Sequence, residues 1–222
     1  MNQQNEHLQT LTEIRSLMER SSKFLSLSGL SGIAAGIVAL VGAAIAYLYF
    51  DMDFFQINSE YVQRGLEDEV SYRTTYAKWG IKPIPFLLLD GFIVLVLALG
   101  LGFYFSARKA KKNGYQFWDN TAKRLMINLS LPLMAGGIFA LILLFKYDLV
   151  ELIPPVTLIF YGLALLNGSK YTLDEVRYLG ISEIALGLMS TWFVSYTLFF
   201  WALGFGVLHI IYGVLMYQKY DR

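Results

Sequence analysis

Apolar runs of helical length alternate along this chain with short polar segments, a pattern that predicts helices rather than strands. A membrane-crossing helix needs about 20 apolar residues. Six runs meet or approach that length, over 25–50, 84–106, 124–145, 149–167, 178–195 and 198–217. Lys146, Tyr147 and Asp148 form a short polar turn between the third and fourth, and Pro154 and Pro155 fall near the start of the fourth, where proline is tolerated. The stretch from Tyr178 to Tyr217 is too long for one crossing, yet no charge or proline marks a turn at Val194–Thr197. A tight hairpin is the economical reading. The expected fold is all-α, a polytopic membrane bundle of six transmembrane helices.

Composition agrees with this class. The chain has 222 residues, of which 56% are hydrophobic and 16% charged, and its mean hydropathy of +0.49 is high for a soluble domain. Nineteen glycines and five prolines within long apolar runs suit close-packed helices better than the alternating strands of a β-barrel. Cysteine is absent, which excludes disulfides and thiol chemistry, and His7 and His209 are too few for a histidine-rich metal centre. A net charge of +1 gives no global attraction for nucleic acid, so no nucleic-acid partner is expected.

The distribution of charge sets an orientation. With the N-terminus inside, 13 Lys and Arg fall in cytoplasmic segments and only 5, Arg64, Arg73, Lys78, Lys82 and Lys146, fall outside. Both termini are therefore expected in the cytoplasm. Ala44-Ile45-Ala46 has the small-residue spacing of a signal-peptidase site, but the region before the first run is long and contains Glu6, Glu13 and Glu19, so that run is read as a span.

Outside the spans, residues 1–24 form an expected cytoplasmic segment in which 5–23 make an amphipathic helix, with Leu8, Leu11, Ile14, Leu17 and Met18 on one side. It suits membrane-surface contact or the docking of a protein partner or second copy. The outer loop 51–83 is acidic but rich in Phe, Tyr and Trp, which predicts a short helical cap. The inner loop 107–123 carries Arg108, Lys109, Lys111 and Lys112, expected to contact anionic lipid, and ends its basic run at Asn113 and Gly114, a helix-stop pair. A short tail, 218–222, follows the last span.

Three small-residue seams recur at steps of three and four: Gly29, Gly32, Gly36, Ala39, Ala43; then Gly180, Glu183, Gly187, Ser190; then Ala202, Gly206, His209, Gly213. Such faces let helices approach closely in lipid, and an ionisable side chain among them is a functional candidate by default. Glu183 lies about 8 Å into the fifth span and His209 about 12 Å into the sixth, less than one turn apart in depth. Aligning GLSGIAAG (Gly29–Gly36) with GISEIALG (Gly180–Gly187) puts Gly32 in the slot of Glu183. The seams are thus expected to converge in one layer of Gly32, Glu183 and His209, with Gly32 leaving room for the carboxylate.

The segments ERSSKFLSLSGLSGIAAG (Glu19–Gly36) and WALGFGVLHIIYGVLMY (Trp201–Tyr217) resemble those of an uncharacterised family of bacterial multi-pass membrane proteins. The resemblance implies a bacterial inner-membrane location and supplies no activity or residue role. No cofactor is expected, and no phosphate loop, HExxH or GxSxG motif is present. The first functional reading is a membrane scaffold, sensor or accessory subunit. The alternative is a small proton-coupled transporter built on Glu183 and His209, and the third an intramembrane enzyme of unrecognised type.

Overall fold

The computed structural model describes residues 23–24, 26–50, 81–114 and 116–221. The expected N-terminal amphipathic helix and the outer cap lie outside them, apart from residues 23, 24 and 81–83. The described chain is helical, with no strand: α1 (Gly29–Phe50), α2 (Pro83–Lys112), α3 (Asn120–Lys146), α4 (Ile153–Gly168), α5 (Asp174–Trp192), α6 (Thr197–Trp201) and α7 (His209–Tyr220). A π-helical segment, Ala202–Leu208, joins α6 to α7. Five helical stretches are long and apolar enough to cross a membrane: Gly29–Phe50, Pro83–Lys112, Asn120–Lys146, Val150–Tyr171 and Val194–Tyr220. Helix α5 stands outside this set because Asp174, Glu175, Arg177 and Glu183 fall within its 19 residues.

Local chemistry fixes the helix ends. Pro83 opens α2 at a position whose N–H has no helical partner, and Gly114 ends the basic stretch with φ of 70°, a conformation that costs glycine little. Arg108, Lys109, Lys111 and Lys112 therefore belong to the last turns of α2. Asp119 caps α3, its side chain accepting from the Ala122 N–H at 2.7 Å. Helix α4 begins with Pro154 and Pro155 in its first turn, after a polar turn in which Asp148 has φ of 53°.

The helices pack as a row. Helix α2 lies on α1, α1 on α7, α4 on α5 and on α3, while the α6–π segment lies against α1, α4 and α5. Helices α2 and α3 form the two edges and expose large apolar side chains, among them Phe92, Leu99, Leu131 and Met134, as helices facing lipid do. Between the edges, glycine brings backbones together. A Cβ on Gly29 would lie 2.4 Å from the Gly213 carbonyl oxygen, one on Gly213 2.6 Å from the Ile33 nitrogen, and one on Gly36 2.6 Å from the Gly206 carbonyl oxygen. Helices α4 and α5 meet in the same way: a Cβ on Gly162 would lie 2.6 Å from the Gly180 carbonyl oxygen.

A polar clasp ties the end of the bundle where α1 begins and α7 finishes. Asp221 Oδ2 accepts from Ser28 Oγ at 2.8 Å and from the Gly29 N–H at 2.9 Å, so it caps α1 from 192 residues away. Its Oδ1 pairs with Lys109 Nζ at 2.5 Å, with both side chains nearly buried. Lys109 also donates to the Leu27 carbonyl at 2.8 Å. Nearby, Lys219 and Tyr220 donate to Glu175 at the start of α5. Burial opposes ionisation of Glu175, but these bonds and one from its own backbone outweigh it and hold the carboxyl below its usual range.

Two stability measurements follow from this packing. Gly213→Ala should destabilise the protein by about 1–3 kcal/mol through overpacking, whereas Gly137→Ala, with nothing within 4 Å of its added Cβ, should be neutral or slightly stabilising in detergent unfolding. Asp221→Ala should cost about 3 kcal/mol because it strands the Lys109 ammonium, and adding Lys109→Met should recover part of that loss; additive losses would show that the two do not act as a pair.

Candidate functional site

Helix α5 holds Glu183 between two glycines that press against α4. A Cβ on Gly180 would lie 2.8 Å from the Gly162 carbonyl oxygen, and one on Gly187 3.0 Å from the Pro155 carbonyl oxygen. This leaves the Glu183 side chain no solvent exposure at all. Across from it, a Cβ on Gly204 would lie 2.5 Å from Glu183 Oε2 and 2.5 Å from Leu158 Cδ2. Gly204 is therefore the residue whose missing side chain makes room for the carboxylate. Gly32, assigned that task from the sequence, instead meets the far side of the same helix: its Cβ would lie 3.1 Å from Gly213 Cα and 3.2 Å from the His209 carbonyl oxygen.

His209 reaches the same layer from α7. Its Nδ1 stands 3.4 Å from Glu183 Oε1, and 3.0 Å from the Gly204 carbonyl oxygen. A carbonyl oxygen cannot donate, so Nδ1 carries a proton and donates it to Gly204. The other ring nitrogen, Nε2, is 2.7 Å from the Tyr161 hydroxyl of α4. It accepts from the phenol as neutral imidazole, or donates to it as imidazolium. Phe205 closes one side, with its ring centroid 4.9 Å from that of Tyr161 and 5.9 Å from that of His209.

The carboxylate itself receives no hydrogen bond: neither Glu183 Oε1 nor Oε2 has a partner among the described residues. A buried polar atom without a partner costs free energy, more so if it is charged. The pair can stay neutral overall in two ways, as carboxylate with imidazolium or as carboxylic acid with imidazole. These differ by the position of one proton, and any other state places net charge in the bundle interior. Chemically the layer is suited to binding and handing on a proton. No group of three or more His, Asp or Glu suitable for a metal occurs among the described residues.

The π segment explains what seam spacing missed. In π geometry residues five apart share a face, so Gly204 and His209 point together toward α4 and α5. Gly206 and Gly213 turn instead to α1, where a Cβ on Gly206 would lie 2.4 Å from Leu40 Cδ2. The third seam, expected on one face, is therefore split between two. The three seams do not converge: the first and third pack together through their glycines, and Gly180 and Gly187 pack on α4. Tyr161 and Gly204 escaped the sequence pattern, although Tyr161 beside Gly162 marks a polar group next to a close helix contact. Of the basic residues, Arg108, Lys111 and Lys112 are exposed, whereas Lys109 is taken up by the clasp.

No family model, curated protein or solved structure matches the chain, so the site rests on its own geometry.

Gly204→Ala tests the geometry directly. The added methyl must displace the Glu183 carboxyl or Leu158, and a loss of about 1–3 kcal/mol is expected. Combining it with Glu183→Ala, which vacates the space, should relieve much of the penalty; strictly additive losses would mean that Gly204 and Glu183 do not share that space.

Proposed function

We propose that this protein is a six-span inner-membrane protein, with both ends cytoplasmic, that senses or responds to protons through Glu183, His209 and Tyr161 and serves as a sensor or accessory subunit of a membrane complex. The observation that carries this reading is the fully buried Glu183 carboxyl without a hydrogen bond, 3.4 Å from His209 Nδ1. A purely structural polar contact would hydrogen-bond its oxygens, and a buried ionisable group left without a hydrogen bond at a helix junction is a functional site by default.

The topology has separate support. Helix α5 joins one end of α4 to the start of α6, and its 19 residues reach about 28 Å, close to the hydrocarbon thickness of a bilayer. If α4 and the stretch Val194–Tyr220 both cross, α5 must cross between them despite its charges. An even number of crossings puts both ends on one side, and the Lys and Arg distribution favours the cytoplasm for them. Exposed Arg108, Lys111 and Lys112 then suit anionic lipid headgroups, and the apolar side expected for residues 5–23 suits a protein partner.

A second reading, a small proton-coupled carrier, is favoured by one feature: the helix that bears His209 is interrupted by a π segment at the site. Carriers place their sites at interrupted helices.

Infrared titration in lipid nanodiscs tests the proton site. The wild type should show a protonated-carboxyl band that changes with pH and disappears in Glu183→Gln, and His209→Gln should move the pH at which it changes. A wild type with no Glu183-dependent band over the whole pH range would overturn the reading. In proteoliposomes, proton flux lost in Glu183→Gln would select the carrier, and a titrating band without flux would select the sensor.

A further inference from the structure

Ser190 and Thr197 have fully buried hydroxyls with no hydrogen-bond partner among the described residues. Helical Ser and Thr usually satisfy themselves by bonding back to a carbonyl of the preceding turn, and their neighbours do so: Ser182 to Tyr178, Thr191 to Leu188 and Thr157 to Pro154. Ser190 and Thr197 decline this local option. Together with the two Glu183 oxygens, and apart from Asp221 Oδ1 at the Lys109 pair, they account for the unpartnered buried side-chain oxygens among the described residues.

Their positions are related. Ser190 follows Glu183 by seven residues on α5, two helical turns, which returns to nearly the same face. Thr197 precedes Gly204 by seven on the antiparallel helix, and Gly204 is the residue opposite Glu183. The turn at Phe193–Tyr196 that joins the helices therefore sets 190 against 197 at one level as it sets 183 against 204 at another. Beyond that level Trp192, Phe193, Val194 and Ser195 are exposed. The unpartnered oxygens thus mark a line from the exposed turn to the carboxyl.

We propose that Ser190 and Thr197 line a hydrated path that carries protons between the α5–α6 turn and Glu183; this rests on Glu183 being a proton site. Buried polar atoms that find no protein partner are satisfied by ordered water. The two levels are about 10 Å apart along the helix axis, a span that about three waters cover at hydrogen-bond spacing. A proton arriving from the turn is taken by the Glu183 carboxylate as one O–H bond forms there and one breaks in the nearest water. Each O–H upstream passes its proton one place along, and bulk water supplies the last. Release runs the same steps in reverse. The titratable side chains beside Glu183 are His209 from α7 and Tyr161 from α4.

The test is the rate of hydrogen–deuterium exchange at the Glu183 carboxyl, followed by infrared spectroscopy after transfer of nanodisc-bound protein into heavy water. Thr197→Val, which keeps the side-chain shape, and Ser190→Ala should each slow exchange by about tenfold, the effect of one lost hydrogen bond on the path. Thr197→Ser should restore it. Both variants should leave the Glu183 band and its titration in place, because neither residue touches the carboxyl. If either variant folds and exchanges at the wild-type rate, the path is overturned while the proton site stands. If the wild type shows no titrating Glu183 band, the site fails and the path fails with it.

Discussion

Two helix backbones can touch inside an apolar bundle only where no side chain stands between them, and the contact of α1 with α7 is built on that constraint. Gly29, Gly36 and Gly213 each place a backbone where any added carbon would collide with the opposite main chain. Without water to drive burial, association in lipid rests on such van der Waals contact and on interhelical hydrogen bonds. The same device at Gly162 and Gly180 holds α4 to α5. The bundle thus contains two stiff helix pairs, α1 with α7 and α4 with α5. Glu183 and His209 stand at the junction between the pairs, one contributed by each.

Each member is carried on a helix packed backbone to backbone on its own partner, so the contact between Glu183 and His209 is also a contact between the two pairs. The π segment adds a second element at the same level. It puts Gly204 under the carboxylate and lends its carbonyl to His209 Nδ1, so one backbone irregularity serves both sides of the contact. Tyr161 completes the arrangement from α4 and ties the imidazole back to the pair that carries Glu183.

Much of this was legible in the sequence because it depends on length and periodicity. The apolar runs mark where the helices lie, Pro154 and Pro155 the start of α4, and Gly114 the end of the basic stretch. Glu183 and His209 stood out because an ionisable residue inside an apolar run has few bland explanations, and depth counting along two antiparallel helices brought them to one level. Gly204 was hidden for a geometric reason: steps of three and four assume an α-helix, and nothing in Ala202–Leu208 announces a wider turn. Gly32 was matched to Glu183 by alignment of two similar octapeptides, but similar local sequence does not fix which neighbour a face meets. The clasp was illegible because Lys109 looks like any other member of a basic cluster, and its partner Asp221 is remote in the chain.

The capping of α1 by Asp221 has a consequence for how the bundle is put together. Ser28 and Asp221 are 193 positions apart, so during synthesis α1 exists long before the carboxylate that accepts from its Gly29 N–H. Helices α4 and α5 are joined by a short connection and can pair as soon as both are made, which is the faster kind of contact to form. Until α7 arrives, the glycine face of α1 has only lipid to pack against and the Gly29 N–H only water or headgroups. Helix α1 can thus meet α2 early but α7 only at the end, and the layer of Glu183, His209 and Tyr161, which needs α4, α5 and α7 together, is complete only after that last closure.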